Sequence, residues 1–144
     1  MFPVSVNRGR TLIGRLAKGE DLLDALNRIC QEENIRLGKI QAIGALIKAS
    51  VGYYHQDTQK YSQLTFNEHL ELISLQGNIS VKDNQPFVHA HVALMKQDGQ
   101  MFGGHLMPGC QVFACEYIIN EFLPEEAEFI RQYDPETGLF LWAE

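Results

Sequence analysis

The chain has 144 residues, 45% hydrophobic and 21% charged, and its 12 Lys+Arg against 18 Asp+Glu give a formal net charge of −6. That profile fits one globular domain, residues 1–144, with enough chain to bury its own core. It excludes a membrane-spanning helix, because no apolar run approaches the necessary ~20 residues, and it disfavours direct DNA binding, which calls for a basic cluster.

The opening MFPVSVNRGR lacks the apolar stretch of a secretory signal, so the expected compartment is the cytoplasm. Cys30, Cys110 and Cys115 form an odd set without CxxC spacing. Buried thiols in a reducing compartment are the expectation, not a disulfide framework.

In chain order, residues 4–6 predict a short strand, broken by Arg8-Gly9-Arg10 and resumed over 11–16. Residues 20–33 predict a helix: Leu22, Leu23, Leu26, Ile29 and Cys30 recur at helical spacing, and Glu20 and Asp21 suit the positive end of the helix dipole. Asn34 is a left-handed stop. Residues 38–43 and 45–53 read as two strands bent at Gly44. Residues 61–66, 70–75 and 79–81 predict further strands, with turns at Gly77-Asn78 and at 82–84.

Residues 86–109, PFVHAHVALMKQDGQMFGGHLMPG, read as a β-hairpin and organise the rest. His89 and His91 are two apart, so on a strand they share a face. A three-residue loop Gln97-Asp98-Gly99, with Gly99 left-handed, pairs Lys96 with Gln100, Val92 with Gly104 and His91 with His105. A two-residue loop would send His105 to the other face. Opposed Cβ atoms lie roughly 5 Å apart, so in the first register three imidazoles converge on one point. Three imidazoles with a fourth position open make a zinc site that accepts water or a small ligand, although other divalent transition metals also take imidazole. The competing reading is a set of ordinary strand histidines or a pH-sensitive cluster. HxH alone is weak evidence; a third histidine in register across a turn favours metal binding. Gly103 and Gly104 allow close approach of backbone on that strand.

Beyond the hairpin, residues 112–122 predict a long apolar strand interrupted by Glu116. Residues 124–132 predict a short helix, opened by Pro124 and an acidic first turn. Residues 134–138 form a turn, and 139–142 an apolar segment that must find cover. The sum is one α+β domain, a largely antiparallel sheet flanked by helices.

Glu71 in LELISL and Glu116 in VFACEYII are acids among apolar neighbours. Each could receive a histidine N–H or act as general base beside metal-bound water; each also suits a solvent or subunit-contact face, the favoured reading for Glu116. Tyr53 and Asn78 are weaker polar candidates, and His55 and His69, lacking a partner, are expected at the surface.

The succession GALIKASVGYY, ELISLQGNIS, the histidine hairpin and VFACEYII resembles the plants-and-prokaryotes-conserved (PPC) domain over nearly the whole chain. In plants that domain accompanies AT-hook DNA-binding motifs, and in prokaryotes it stands alone. The resemblance implies an antiparallel α+β fold assembled as a homotrimer, and metal binding in some stand-alone members through histidines that match His89, His91 and His105. It also implies the common description "predicted DNA-binding protein". No AT-hook core is present, since Arg8-Gly9-Arg10 is followed by Thr11 and not proline. Three functions follow as alternatives: a trimeric zinc protein with hydrolytic or small-ligand chemistry, a DNA-associated regulator, and a purely structural trimeric module. No Ser-His-Asp elbow, P-loop or Rossmann fingerprint narrows the choice.

Overall fold

Strand β2 (Gly38–His55) is the spine of the molecule. Its first half pairs with β4 (Leu70–Lys82) and β7 (Gln111–Pro124), and its second half with β3 (Lys60–Phe66) and β6 (Met101–Leu106). With β5 (Gln85–Met95) lying between β4 and β6, the pairings β2–β4–β5–β6–β2 close the sheet into a ring. β1 (Val6–Leu16) extends it beyond β7. All these pairings are antiparallel. The computed structural model describes residues 3–125 and 128–143.

One strand can serve both halves because it bends. Gly44 has φ +155°, and a Cβ there would lie 2.1 Å from the Ala114 carbonyl oxygen and 2.8 Å from Cys115 Cα. The register with β4 slips between Ala42 and Gly44. The bend predicted at Gly44 is therefore a bulge within one continuous strand. The same correction applies to β1, continuous across a bulge between Arg8 and Thr11, and to β4, which runs through Gly77-Asn78 without a turn.

The helix α1 (Leu22–Glu32) is shorter than its predicted range. Asp21 is the cap: its Oδ1 accepts from the Leu23 and Asp24 N–H groups, and its Oδ2 accepts from Gly109 N at 2.6 Å. Glu20 lies outside the helix and pairs with Arg28 at 2.7 Å. Asn34, at φ +51°, ends it as expected. Its apolar stripe, Leu22, Ala25, Leu26 and Cys30, is buried with Leu46, Leu72, Leu75, Ile79, Leu94, Leu106 and Ile119. Each such leucine or isoleucine contributes roughly 1.5–3 kcal/mol by leaving water, so the core dominates stability.

Two-residue turns and glycines close the hairpins. Asp83 and Asn84 both take positive φ, 51° and 60°, the conformation of a tight turn between strands with right-handed twist. The helix predicted over 124–132 spans residues 126 and 127, which lie outside the described residues; on either side none of its residues is helical, with Pro124 ending a strand and Arg131 opening the next. Arg131 opens β8 (Arg131–Asp134), which pairs with β9 (Leu139–Trp142) as a separate two-stranded hairpin. Among the described residues there is thus one helix, not several. No helix among the described residues is long and apolar enough to cross a membrane.

Cys30, Cys110 and Cys115 are buried, unpaired and spread through the core. Burial pushes the Cys30 thiol up to about 12 and the other two to about 11. Protonated, enclosed thiols do not react. The native protein is expected to give no titratable thiol with a disulfide reagent at pH 8, and all three in denaturant. Rapid labelling of the native chain would contradict this burial.

Candidate metal centre

The hairpin takes the three-residue loop. Lys96 N–H donates to Gln100 O at 2.9 Å, Gly99 N–H donates to Lys96 O at 3.0 Å, and Gly99 has φ +83°. Val92 therefore opposes Gly104, and His91 opposes His105. Cross-strand partners continue as one row on the outward face: Ile13, Ile118, Gln41, Gln76, His91, His105 and Gly52. One row along, Asn78 faces His89.

On that face the three histidines come together. Their ring centroids stand 5.3 Å (His89–His91), 5.1 Å (His89–His105) and 5.5 Å (His91–His105) apart. One nitrogen from each lies within 4.8 Å of the others, the one such cluster of three among the described residues. Tetrahedral zinc, with bonds of ~2.05 Å, wants its nitrogens roughly 3.4 Å apart. Rotation of side chains that already face one another closes that difference. His91 is exposed and opens the cluster to solvent, while the other two are half-buried.

Two further observations bear on whether an ion fits. His105 Nδ1 is buried with no hydrogen-bond partner. A buried ring nitrogen normally has one, and coordination is one way to supply it. The donor set itself, three imidazoles, suits a divalent transition metal. Close packing holds the His105 ring: Gly52 lies opposite it, and the Tyr61 ring sits 5.1 Å away. A Cβ on Gly52 would meet Tyr61 Cδ1 at 3.0 Å and Met107 Sδ at 2.9 Å, so the absent side chain makes room for Tyr61.

The C-terminal hairpin reaches the same face. Arg131 is 8% exposed. Its Nε donates to Ser80 Oγ at 2.8 Å, Nη1 to Phe140 O at 2.9 Å, and Nη2 to Asn78 Oδ1 at 2.7 Å. Nη2 also lies 3.4 Å from His89 Nδ1. A guanidinium only donates, so this contact needs an unprotonated Nδ1 on His89. Tyr54 Oη, donating to Thr137 O, and Gln59 Nε2, donating to Glu136 O at 2.9 Å, anchor the turn.

Sequence reasoning missed Arg131 and Tyr61. The signal for Arg131 was present in the turn residues 134–138 between two aromatic-rich runs, a hairpin pattern that outranks the helix signal of Pro124. Asn78 is at the site as Arg131's acceptor, whereas exposed Tyr53 packs its ring against His55. Glu71 and Glu116 stand apart from the imidazoles. Glu71 is exposed opposite Met95, four residues along β5 from His91, and Glu116 is exposed on β7 between Arg15 and Ile43. Neither is among the groups gathered with the histidines.

Burial, then the neighbouring Arg131 and imidazoles, lowers His89 to about 4; burial, then His91 and Arg131, lowers His105 to about 4. In the metal-free protein both stay neutral in the fold while the unfolded chain gains protons from about pH 6.5 downward. Stability is then flat above neutrality and falls between about pH 6.5 and 4, by about 3 kcal/mol for the two after allowing for solvent screening. Urea midpoints of metal-stripped protein across that range measure the loss; a midpoint that stays level would contradict it.

A model of the Plants and Prokaryotes Conserved (PCC) domain matches residues 4–123, so the histidines fall inside the match and Arg131 outside it. Among solved structures, the metal-containing protein AF0104 of Archaeoglobus fulgidus is 40% identical, with TM-score 0.93 over 100% of both chains. A plant- and prokaryote-conserved (PPC) protein of Pyrococcus horikoshii is 37% identical, with TM-score 0.92 over 100% of this chain and 98% of that one. A Bacteroides thetaiotaomicron protein provisionally described as DNA-binding is 27% identical, with TM-score 0.83 over 96% of each. Among curated proteins, the bifunctional protein GlmU of Synechococcus sp. (strain JA-3-3Ab) is 33% identical over 126 residues, 86% of this chain and 19% of that protein. The chain thus spans about a fifth of the curated relatives it matches. Carrying this domain over residues 4–123, the chain belongs to the Plants and Prokaryotes Conserved family.

Proposed function

We propose that the protein binds one divalent transition metal ion, zinc foremost, through His89, His91 and His105, and keeps a position for water or a small ligand. The observation that carries this reading is the gathering of three imidazole nitrogens within 4.8 Å on one open face. The A. fulgidus relative's description as metal-containing supports it. Zinc in such a site brings the pKa of bound water down to about 7 and so supplies a nucleophile for hydrolysis. This chain's residues hold and orient the ion; Glu71 and Glu116 stand outside the cluster and carry no step here.

The proposal includes a homotrimer. Ile13, Ile43 and Ile118 are 76%, 58% and 44% exposed and line a hollow of about 690 Å³ with Gln41, Gln76 and Tyr117. An apolar surface of this kind marks a protein contact. Gln76 also opposes His91, so the contact face runs up to the metal centre.

Competition titration of tag-free, metal-stripped protein with zinc is the test, and one equivalent per chain is the result expected. Failure to compete with a weak chelator would overturn the reading. Sedimentation equilibrium tests the assembly: three chains per particle support it, and a monomer contradicts it. A DNA-associated role is the second reading, supported by the description of the B. thetaiotaomicron relative and opposed by the net charge of −6. It requires retardation of duplex DNA that weakens steeply with salt.

A further inference from the structure

The metal reading places a divalent cation beside a guanidinium that no carboxylate among the described residues compensates. Arg131 is 8% exposed, and its hydrogen bonds go to a hydroxyl, an amide oxygen, a backbone carbonyl and an imidazole, all neutral acceptors. No acid among the described residues acts on it; burial alone lowers its pKa. Taking a lone cation out of water costs several kcal/mol unless a counter-charge is supplied. The guanidinium also lies 5.6 Å from the Phe87 ring centroid, and such a contact offsets part of that cost, but the ring supplies no counter-charge and the cation is left without an anionic partner among the described residues.

The guanidinium is directed at the histidines, with Nη2 3.4 Å from His89 Nδ1. It has five N–H protons; three go to Ser80, Phe140 and Asn78. The Nη2 proton facing His89 Nδ1 loses that acceptor once the imidazole ligates an ion, because a neutral ring has one lone pair and gives it to the metal, so one proton on each Nη is left. Imidazole ligands bring no negative charge, so a divalent ion and Arg131 together would put three positive charges in one place. Glu71 and Glu116, the acids that the sequence offered as candidates, lie elsewhere on the sheet.

We infer that the small ligand of this site is an oxyanion, a carboxylate or phosphate group held between the metal ion and Arg131. The inference rests on the metal reading for one of the two positive partners. Charge-assisted hydrogen bonds from arginine to such groups are roughly twice as strong as neutral ones. Arg131 is then a ligand-binding and selectivity residue supplied by the C-terminal hairpin, and uncharged molecules of similar size are refused.

The experiment uses full-length protein loaded with Co²⁺, whose visible absorption reports the fourth position. Acetate and inorganic phosphate are titrated separately, with acetamide as the uncharged control. Saturable spectral change with either anion and none with acetamide is expected, and the stronger binder tells carboxylate from phosphate. Arg131→Gln should still take one Co²⁺ per chain and lose at least tenfold in anion affinity, with Arg131→Lys in between. Equal anion affinity in Arg131→Gln, or a response to acetamide matching that to acetate, overturns the inference while leaving the metal site standing. Should Co²⁺ not bind at all, the metal reading fails separately. Phosphate and acetate are then compared by thermal shift on metal-free parent and Arg131→Gln: a rise confined to the parent supports the anion site, and no difference overturns it. If Arg131→Gln is unfolded, Asn78→Ala decides, since freeing one guanidinium proton should tighten anion binding and a merely structural Arg131 leaves it unchanged.

Discussion

His105→Ala is expected to abolish stoichiometric metal binding while leaving the fold in place. The ring contributes one of three nitrogens gathered within 4.8 Å, and two imidazoles on one strand do not enclose an ion. Loss of a group that merely orients a ligand lowers metal affinity 10–100-fold, so loss of a ligand itself should exceed that range. The fold should tolerate the change. His105 Nδ1 is buried without a partner, and removing an unsatisfied polar atom offsets the cavity that alanine leaves, keeping the metal-free protein within about 1 kcal/mol of the parent. Equilibrium dialysis against zinc followed by metal analysis measures the effect. His55→Ala and His69→Ala, at exposed positions outside the cluster, should keep one zinc per chain. Undiminished zinc in His105→Ala would place the ion elsewhere.

Gly44→Ala is expected to cost on the order of 4 kcal/mol, combining overpacking with a backbone angle that L residues rarely adopt. The contact is with backbone, the Ala114 carbonyl oxygen at 2.1 Å, so a side-chain rotation cannot relieve it. Strand β7 would have to move away from β2, and that pairing ties β1 and β7 to the ring. Gly99→Ala is the comparison: nothing lies within 4 Å of its added methyl, and only the φ of +83° opposes it. Denaturant midpoints should separate the two variants clearly. A Gly44→Ala protein as stable as the parent would mean that the β2–β7 contact yields.

Local patterns made the histidine hairpin legible. A period of two placed His89 with His91, and one glycine at the end of a three-residue loop decided the register of His105. The helix was equally readable from its leucine spacing and Asn34, although Asp21 and not Glu20 caps it, because the Asp21 carboxylate also accepts from Gly109 across the domain. What local pattern does not carry is which strands meet. Closure of the ring through β2–β6 depends on the double use of β2, and sequence reading divided that strand in two at Gly44. Glu71 and Glu116 stood out as acids among apolar residues, yet whether they share a patch with the histidines is a matter of strand order. Arg131 was hidden for the opposite reason. Its chemistry is set by Ser80, Asn78 and His89, all more than 40 positions away, while its own neighbourhood read as a helix.

The most direct test of the account is a crystal structure of zinc-loaded protein with data collected on either side of the zinc absorption edge. One anomalous peak per chain, bonded to a ring nitrogen of each of His89, His91 and His105 at about 2.0–2.1 Å, is the predicted result. Zinc bound at carboxylates or at His55 and His69, with the three imidazoles left as they stand, would contradict it.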